Sequence, residues 1–199
     1  MTKPPTKASP INGPISRRRL LEAAVAGGIG MNLTPVLAKS DDPRKMPPRT
    51  NDDIVFPSWE NDGRIVCIAD VPIGGPPLLA YPRDPETAVE REKSRLNQIL
   101  LLRFAEEKLS EQTRKYAVMG IVAYSGVCTH AGCSITEWDN EAQNLLCPCH
   151  ASQFDPRERA KIIGGPALRP LPTLPLALED KNLKVAGPFS GKVGAKKQK

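Results

Sequence analysis

Cysteine and histidine are concentrated in one short stretch of this chain, and that concentration limits its chemistry more than any other feature. Four of the five cysteines and both histidines lie between Cys128 and His150. One residue separates Cys128 from His130, so both side chains of a tight loop can reach one metal site. Two residues separate Cys147 from His150, a spacing that also wraps one metal. Two thiolates and two imidazoles suit either a tetrahedral zinc ion or an iron–sulfur centre.

Two further cysteines, Cys133 and Cys149, lie one in each half of the motif. A structural zinc site has no use for them. If the two halves form loops that face each other, these cysteines can form a disulfide. Such a bond persists only in an oxidising compartment, so the pair connects the metal motif with the location of the protein.

The N-terminal residues indicate export. Residues 16–21 (SRRRLL) have the twin-arginine pattern, and the apolar residues 20–37 follow it. Small residues at 36–38 (VLA) have the spacing of a cleavage site. A helix that spans a bilayer needs about 20 apolar residues, and this run is slightly shorter, so it is marginal as a permanent anchor. We expect residues 1–38 to be either a cleaved signal or a membrane anchor. The competing interpretation is a buried amphipathic helix preceded by arginines.

Composition divides the rest of the chain into a polar, proline-containing linker (39–53), a globular domain (54–193) and a short basic tail (194–199). Nine basic residues and no acidic ones lie in residues 1–19 and from Lys192 onward. The remaining 19 basic residues are outnumbered by 22 acidic ones. A nucleic-acid-binding domain needs a basic stripe on its folded surface, so we expect no nucleic-acid partner.

The domain has the residue pattern of strands. Short apolar and β-branched runs are bounded by Gly, Pro and Asp, which favours an all-β fold. Residues 85–95 are charged, contain good helix formers and begin with a proline, so we expect a surface helix there. The expected strands are residues 64–69, 97–104 and 119–124, and a final hairpin of residues 174–179 and 182–186.

The two halves of the motif, CTHAGC at 128–133 and CPCHAS at 147–152, together resemble the Rieske iron–sulfur proteins. The resemblance is strong over residues 118–170 and looser over the rest of 55–190. It implies stacked antiparallel sheets with a cluster-binding subdomain at about 118–170. The short helical insertion is the one that residues 85–95 predict.

The resemblance also implies a 2Fe-2S cluster. One iron would be held by Cys128 and Cys147, and the other by His130 and His150. Neutral imidazoles lower the negative charge of the cluster, which raises its potential to roughly −150 to +300 mV. Cys133 and Cys149 would form the disulfide that is typical of the high-potential branch and that the Rieske ferredoxins of ring-hydroxylating oxygenases lack.

Residues around the motif match the family unevenly. Ser152 matches a serine whose hydroxyl donates to a bridging sulfur, but Phe154 stands where quinol-oxidising members have a tyrosine, so we expect a lower potential than theirs. Gly165 and Pro166 resemble the proline loop that covers the cluster, although an ordinary tight turn explains them too. Ala151 stands where many members have glycine, and we expect a negative φ there.

The resemblance implies an electron-transfer subunit rather than a catalyst acting alone, on the periplasmic side of the bacterial inner membrane. One assembly resembles a cytochrome bc-type quinol oxidase that reduces a c-type cytochrome or a similar acceptor, and the proline loop favours it. The other resembles arsenite oxidase, in which the partner is a molybdopterin subunit. Residues 121–125 (IVAYS), Phe154 and the short export segment favour the second assembly. A free-standing exported carrier and a non-redox zinc-binding module remain as further alternatives.

Overall fold

The computed structural model describes residues 42–196, so the signal or anchor predicted at 1–38 lies outside the described residues. Antiparallel strands dominate the described part, and the all-β prediction is confirmed. In chain order the strands are β1 (Asp53–Val55), β2 (Leu78–Arg83), β3 (Ile99–Arg103), β4 (Ile121–Ser125), β5 (Glu137–Asp139), β6 (Asn144–Leu146), β7 (Gln153–Asp155), β8 (Lys161–Gly164), β9 (Leu176–Glu179) and β10 (Asn182–Val185).

The strands form two sheets of different size. A six-stranded sheet has the order β4-β3-β2-β1-β10-β9, and a four-stranded sheet has the order β5-β6-β7-β8. The four-stranded sheet lies within the predicted cluster-binding subdomain. Both halves of the Cys/His motif therefore adjoin this small sheet, one before it and one between β6 and β7.

Strand β3 shows why the large sheet forms from these residues. Its sequence ILLLR is apolar at four consecutive positions, which is typical of a strand covered on both faces. Leu100 and Leu102 point into the core that also contains the motif cysteines, whereas Ile99 and Leu101 point into a second core. Successive side chains of a strand alternate between faces, so one short apolar run supplies two cores. The Tyr124 hydroxyl on β4 donates to the Pro156 carbonyl at 2.6 Å and so joins the two sheets.

The predicted strands at 97–104 and 119–124 and the final hairpin are confirmed. Residues 64–69 form isolated bridges and then a 3₁₀ turn at Ile68–Asp70, not a regular strand. The predicted surface helix at 85–95 is wrong. There the Asp84 carboxylate accepts hydrogen bonds from the amides of Glu86 and Thr87, which closes a turn instead of a helix.

Helical structure is short throughout the described residues. One α-helix, α1 (Glu111–Arg114), follows Ser110, whose hydroxyl oxygen accepts the Thr113 amide and caps the helix. The helical insertion thus lies after β3 rather than at 85–95. The 3₁₀ helices are Pro43–Lys45, Asn61–Gly63, Ile68–Asp70, Arg95–Asn97, Glu106–Lys108 and Pro156–Glu158. Between residues 42 and 196 no helix has the length and apolar character to cross a membrane.

Residues 42–53, most of the predicted linker, are attached to the domain. The Arg91 guanidinium donates to both carboxylate oxygens of Asp52, at 2.8 and 3.0 Å, and these side chains are only 2% and 3% exposed. The Asn97 side chain donates to the Met46 carbonyl at 2.7 Å. An N-terminal segment that is polar in sequence therefore contributes a buried ion pair to the folded domain.

We predict that Arg91→Leu destabilises the domain by about 3–5 kcal/mol, because it leaves the buried Asp52 carboxylate without its partner. Chemical denaturation, monitored by circular dichroism, measures the change in unfolding free energy. The control is Arg44→Leu, which removes a solvent-exposed pair with Asp42 and should have little effect. Equal effects of the two substitutions would contradict a special role for the buried pair.

Candidate metal centre

Two loops with the same backbone pattern carry the motif. In the first loop, 128–133, the Gly132 amide donates to the Cys128 carbonyl at 3.0 Å. In the second, 147–152, the Ala151 amide donates to the Cys147 carbonyl at 2.9 Å. In each loop the leading cysteine also donates its own amide to the carbonyl of the last residue, at 2.8 and 2.9 Å. The repeated turn places the two leading cysteines in equivalent positions.

The turn requires a left-handed residue at the same place in each loop. Gly132 has φ +80° and Ala151 has φ +54°. The negative φ expected for Ala151 is therefore wrong. A left-handed backbone is unfavourable for a residue with a Cβ but is accessible at a modest cost, and the turn of the second loop imposes it.

The loops bury their leading cysteines and expose their histidines. Cys128 and Cys147 are each 1% exposed and belong to the core between the sheets. His130 and His150 are exposed, with ring centroids 4.7 Å apart and planes at 85°. The arrangement brings the four predicted ligand residues into one region and separates sulfur from imidazole along the direction from core to solvent.

Burial of the Cys147 side chain disfavours its thiolate form. Burial raises the pKa of the Cys147 thiol, and the neighbouring Cys128 thiol raises it further, while the Cys149 amide opposes the rise. Metal binding requires the thiolate. Both cysteines are free of disulfide bonds, so this donor set, two free thiols beside two accessible imidazoles, fits an iron–sulfur centre.

A disulfide joins the two loops. The Sγ atoms of Cys133 and Cys149 are bonded to each other, as the resemblance implies. These sulfurs and a ring nitrogen of His150 lie within 4.8 Å of one another. Sulfurs bonded to each other are not the thiolates that bind metals, so this trio is not a ligand set. The bond instead fixes the distance between the loops.

The other predicted site residues lie around the second loop. Ser152 is fully buried, and its oxygen accepts the Ala167 amide at 3.2 Å, which leaves its hydrogen for another acceptor. Phe154 is fully buried in the core that contains Cys128 and Cys147. The lower potential expected from its missing hydroxyl stays a prediction.

The predicted proline loop passes directly over the second loop. Gly165 has φ +78°, and a Cβ there would lie 2.5 Å from the Ser152 Cα and from the Ala151 carbonyl oxygen. Pro166 follows and is exposed. A close backbone approach thus explains the glycine better than an isolated tight turn does.

Sequence reasoning missed two residues of this region. The Thr129 hydroxyl, beside His130, donates to the Arg169 carbonyl at 2.6 Å and ties the first loop to the end of the proline loop. Thr129 lies inside the motif and could have been singled out. Arg169 lies 19 residues after His150 in a proline-rich stretch, and no local pattern marks it.

Comparison with known proteins agrees with this geometry. A family model described as "Rieske [2Fe-2S] domain" matches residues 98–175, which include both loops and the proline loop. A curated relative from Streptomyces lividans, named "Cytochrome bc1 complex Rieske iron-sulfur subunit", is 34% identical over 117 residues, 55% of this chain and 69% of the relative. The chain belongs to the Rieske family. Its cofactor is accordingly a 2Fe-2S cluster, and the Rieske-type sheets expected from the motif are the fold it adopts.

The relatives of this Rieske chain serve in different complexes. One from Haloferax mediterranei, named "Putative respiratory nitrate reductase subunit Rieske", is 38% identical over 122 residues, 60% of this chain. The chain spans 52% of that relative and 33% of a bc1 Rieske subunit from Streptomyces coelicolor. Much of the length of these relatives is therefore not represented in the aligned region.

Solved Rieske structures resemble the chain weakly. The soluble domain of Rieske protein II from Sulfolobus acidocaldarius is 24% identical, with a TM-score of 0.36, and the match covers 48% of this chain and 66% of that one. The ferredoxin of carbazole 1,9a-dioxygenase from Nocardioides aromaticivorans is 17% identical, with a TM-score of 0.38, covering 62% and 94%.

We predict that Gly165→Ala lowers the cluster content of the purified protein severalfold. The added methyl group would collide with the backbone of the second loop, and its φ is unfavourable for alanine. Gly164→Ala is the matched control, because its methyl group would meet only ordinary contacts, the nearest being the Gln153 Oε1 at 3.4 Å. Iron and acid-labile sulfide per chain are the measurements. Full occupancy in both variants would show that the proline loop does not constrain the second loop.

Proposed function

We propose that this Rieske chain is an exported electron-transfer subunit of a respiratory oxidoreductase similar to quinol–cytochrome c reductase. In this proposal Cys128 and Cys147 hold one iron of the cluster, and His130 and His150 hold the other. The observation that carries it is the pair of matching loops, with buried free thiols on the inside and exposed imidazoles on the outside.

When bound, the cluster supplies one-electron redox chemistry. The chain determines where that chemistry is accessible. The core side chains around Cys128 and Cys147 exclude water from the inner side, while the exposed rings of His130 and His150 let a redox partner approach closely. An imidazole that binds iron through one nitrogen has a second nitrogen that can carry a proton. Because the rings face solvent, that proton can leave the protein, as quinol oxidation requires.

The surface beside His130 suits a partner within or at a membrane. A cavity of about 400 Å³ is lined by Thr129, His130 and three residues of the proline-loop region, Pro166, Leu168 and Arg169, together with Lys196. Leu168 is 91% exposed, more than any other large apolar side chain of the described residues. The exposed side chains of Pro166 and Leu168 beside His130 favour docking against an apolar, quinol-binding subunit, with Arg169 and Lys196 at the same edge.

A molybdopterin subunit is the second candidate partner. The Haloferax mediterranei relative is named as a subunit of a respiratory nitrate reductase rather than of a bc1 complex. Phe154 replaces the tyrosine of quinol-oxidising members, and this favours an assembly of the arsenite oxidase type. In either assembly a c-type cytochrome or a similar carrier would accept the electron.

The expected result for the purified protein is a red-brown chain with two irons and two labile sulfides. We predict that Cys128→Ser and His150→Ala each lose the cluster, because each removes one ligand. Cys67→Ser is the matched control, since Cys67 is the free cysteine outside the motif and should keep it. Electron paramagnetic resonance of the reduced protein measures the outcome, and a normal signal from His150→Ala would contradict the ligand assignment.

The identity of the complex is tested on the tagged chain purified from membranes of its own cells. Co-purification of a dihaem cytochrome b and reduction of the cluster by added quinol is the expected result. A molybdopterin subunit in place of the cytochrome supports the second candidate. A colourless protein that holds zinc would overturn both and leave the non-redox module.

Export follows in this proposal from two independent features, the twin-arginine pattern at 16–21 and the disulfide between Cys133 and Cys149. We predict that the double substitution Arg17→Lys, Arg18→Lys retains the chain in the cytoplasm, because the export machinery recognises the paired arginines. Substitution of Lys3 and Lys7 by arginine is the control and should not change export. Cell fractionation measures the distribution, and undiminished export of the double variant would refute the twin-arginine interpretation.

A further inference from the structure

The C-terminal residues beyond the matched family region pass along the first loop. We call residues 192–196 the C-terminal strap. A Cβ on Gly194 would lie 3.4 Å from the Val127 side chain, and one on Gly132 would lie 3.9 Å from the Ala195 nitrogen. Gly194 is buried, although it belongs to a segment that we expected to be a basic tail. Lys196 then lines the same cavity as His130.

Arg169 connects the strap with the first loop. Its two guanidinium nitrogens donate to the carbonyls of Lys192, at 3.1 Å, and Gly194, at 2.7 Å. Its own carbonyl accepts the Thr129 hydroxyl at 2.6 Å. One residue therefore joins the proline loop, the strap and the residue next to His130.

The two loops differ in what supports them from behind. The second loop is backed by Gly165, whose backbone approaches Ser152, and by the hydrogen bond between Ala167 and Ser152. No equivalent glycine approaches the first loop in the described part of the chain. Its outer side is instead fastened by Thr129, Arg169 and the strap. The strap is the counterpart, for the first loop, of the proline loop.

We propose that Arg169 is a positioning residue and that the C-terminal strap is a working part of the cluster site, holding the first loop and hence His130 in place. The inference rests on the proposed function for the ligand role of His130. The expected consequence is that loss of the strap lets the first loop open, which loosens one iron ligand while the second loop stays fixed. Hydrogen bonds from a charged donor are about twice as strong as neutral ones. The two bonds of the Arg169 guanidinium therefore hold the strap more strongly than two bonds from a neutral side chain would.

The test compares two truncations of the full chain. Ending the chain after Gly191 removes the strap, whereas ending it after Lys196 removes only the last three residues and is the control. The first truncation keeps Ser190, which exchanges hydrogen bonds with Thr173, so the large sheet retains its C-terminal attachment. Arg169→Gln tests the same link without shortening the chain, with Arg114→Gln on α1 as a control of equal charge change.

Three measurements report on the first loop: the half-life of the cluster in the presence of a chelator, the g values of the reduced cluster, and the rate at which dithiothreitol reduces the disulfide. For the chain that ends at Gly191 and for Arg169→Gln, we expect the rate of cluster loss and the rate of disulfide reduction to rise at least about tenfold. A lost charge-assisted hydrogen bond changes a local opening equilibrium by roughly that factor. Shifted g values would show a moved ligand, which a purely structural loss would not produce. Arg169→Lys should give rates between those of the full chain and those of Arg169→Gln, because lysine keeps a charged donor.

The proposal would be overturned if both Arg169→Gln and the chain that ends at Gly191 had rates within twofold of the full chain and unchanged g values. A full-length chain that binds no cluster would overturn the proposed function instead, and the disulfide reduction rate would still test the strap. If the chain that ends at Gly191 fails to fold, as circular dichroism would show, Arg169→Gln decides the outcome alone.

Discussion

The site depends on the burial of two free thiols at one place between two sheets. Cys128 and Cys147 belong to the same core as the apolar residues of β3 and β4, and burial raises the pKa of the Cys147 thiol. A protonated thiol packs in such a core as a small apolar group, so the cost of burial falls on the thiolate form that metal binding requires. In their proposed ligand role, a bound metal centre would replace the thiol protons and offset the charge of the two thiolates. The packing of the domain and the binding of its cofactor are therefore parts of one free-energy balance.

Geometry outside the core follows from that arrangement. Two loops with one turn pattern present their sulfurs inward and their imidazoles outward, and the disulfide between Cys133 and Cys149 fixes their separation. The left-handed residue of the turn is glycine in one loop and Ala151 in the other. The second loop holds the less favourable residue at the point where the backbone of Gly165 approaches it closely.

The sequence predicted the parts of the structure that depend on local spacing. The motif located the site because its predicted ligands lie within two short loops. Continuous apolar runs located β3 and β4 because a strand covered on both faces needs no alternation. Residues 85–95 were misassigned because helix-forming residues do not form a helix where a preceding Asp84 closes a turn on the following amides. The pairs Asp52–Arg91 and Thr129–Arg169 join residues about 40 positions apart, and no local pattern encodes such pairs.

Two arginines attach the two ends of the described chain to the domain. One binds a buried carboxylate and the other binds backbone carbonyls, so their loss would have different consequences. Arg91 binds the buried carboxylate of Asp52, so its loss would leave a charge in the core, which costs stability of the whole fold. Arg169 binds two backbone carbonyls near the surface, which water can satisfy in its absence, so its loss would cost mainly local order. In both places the planar fork reaches two acceptors at once in a fixed geometry, which the rotatable ammonium of lysine does not impose. Arg91 therefore serves the stability of the fold, and Arg169 serves the loop that carries His130.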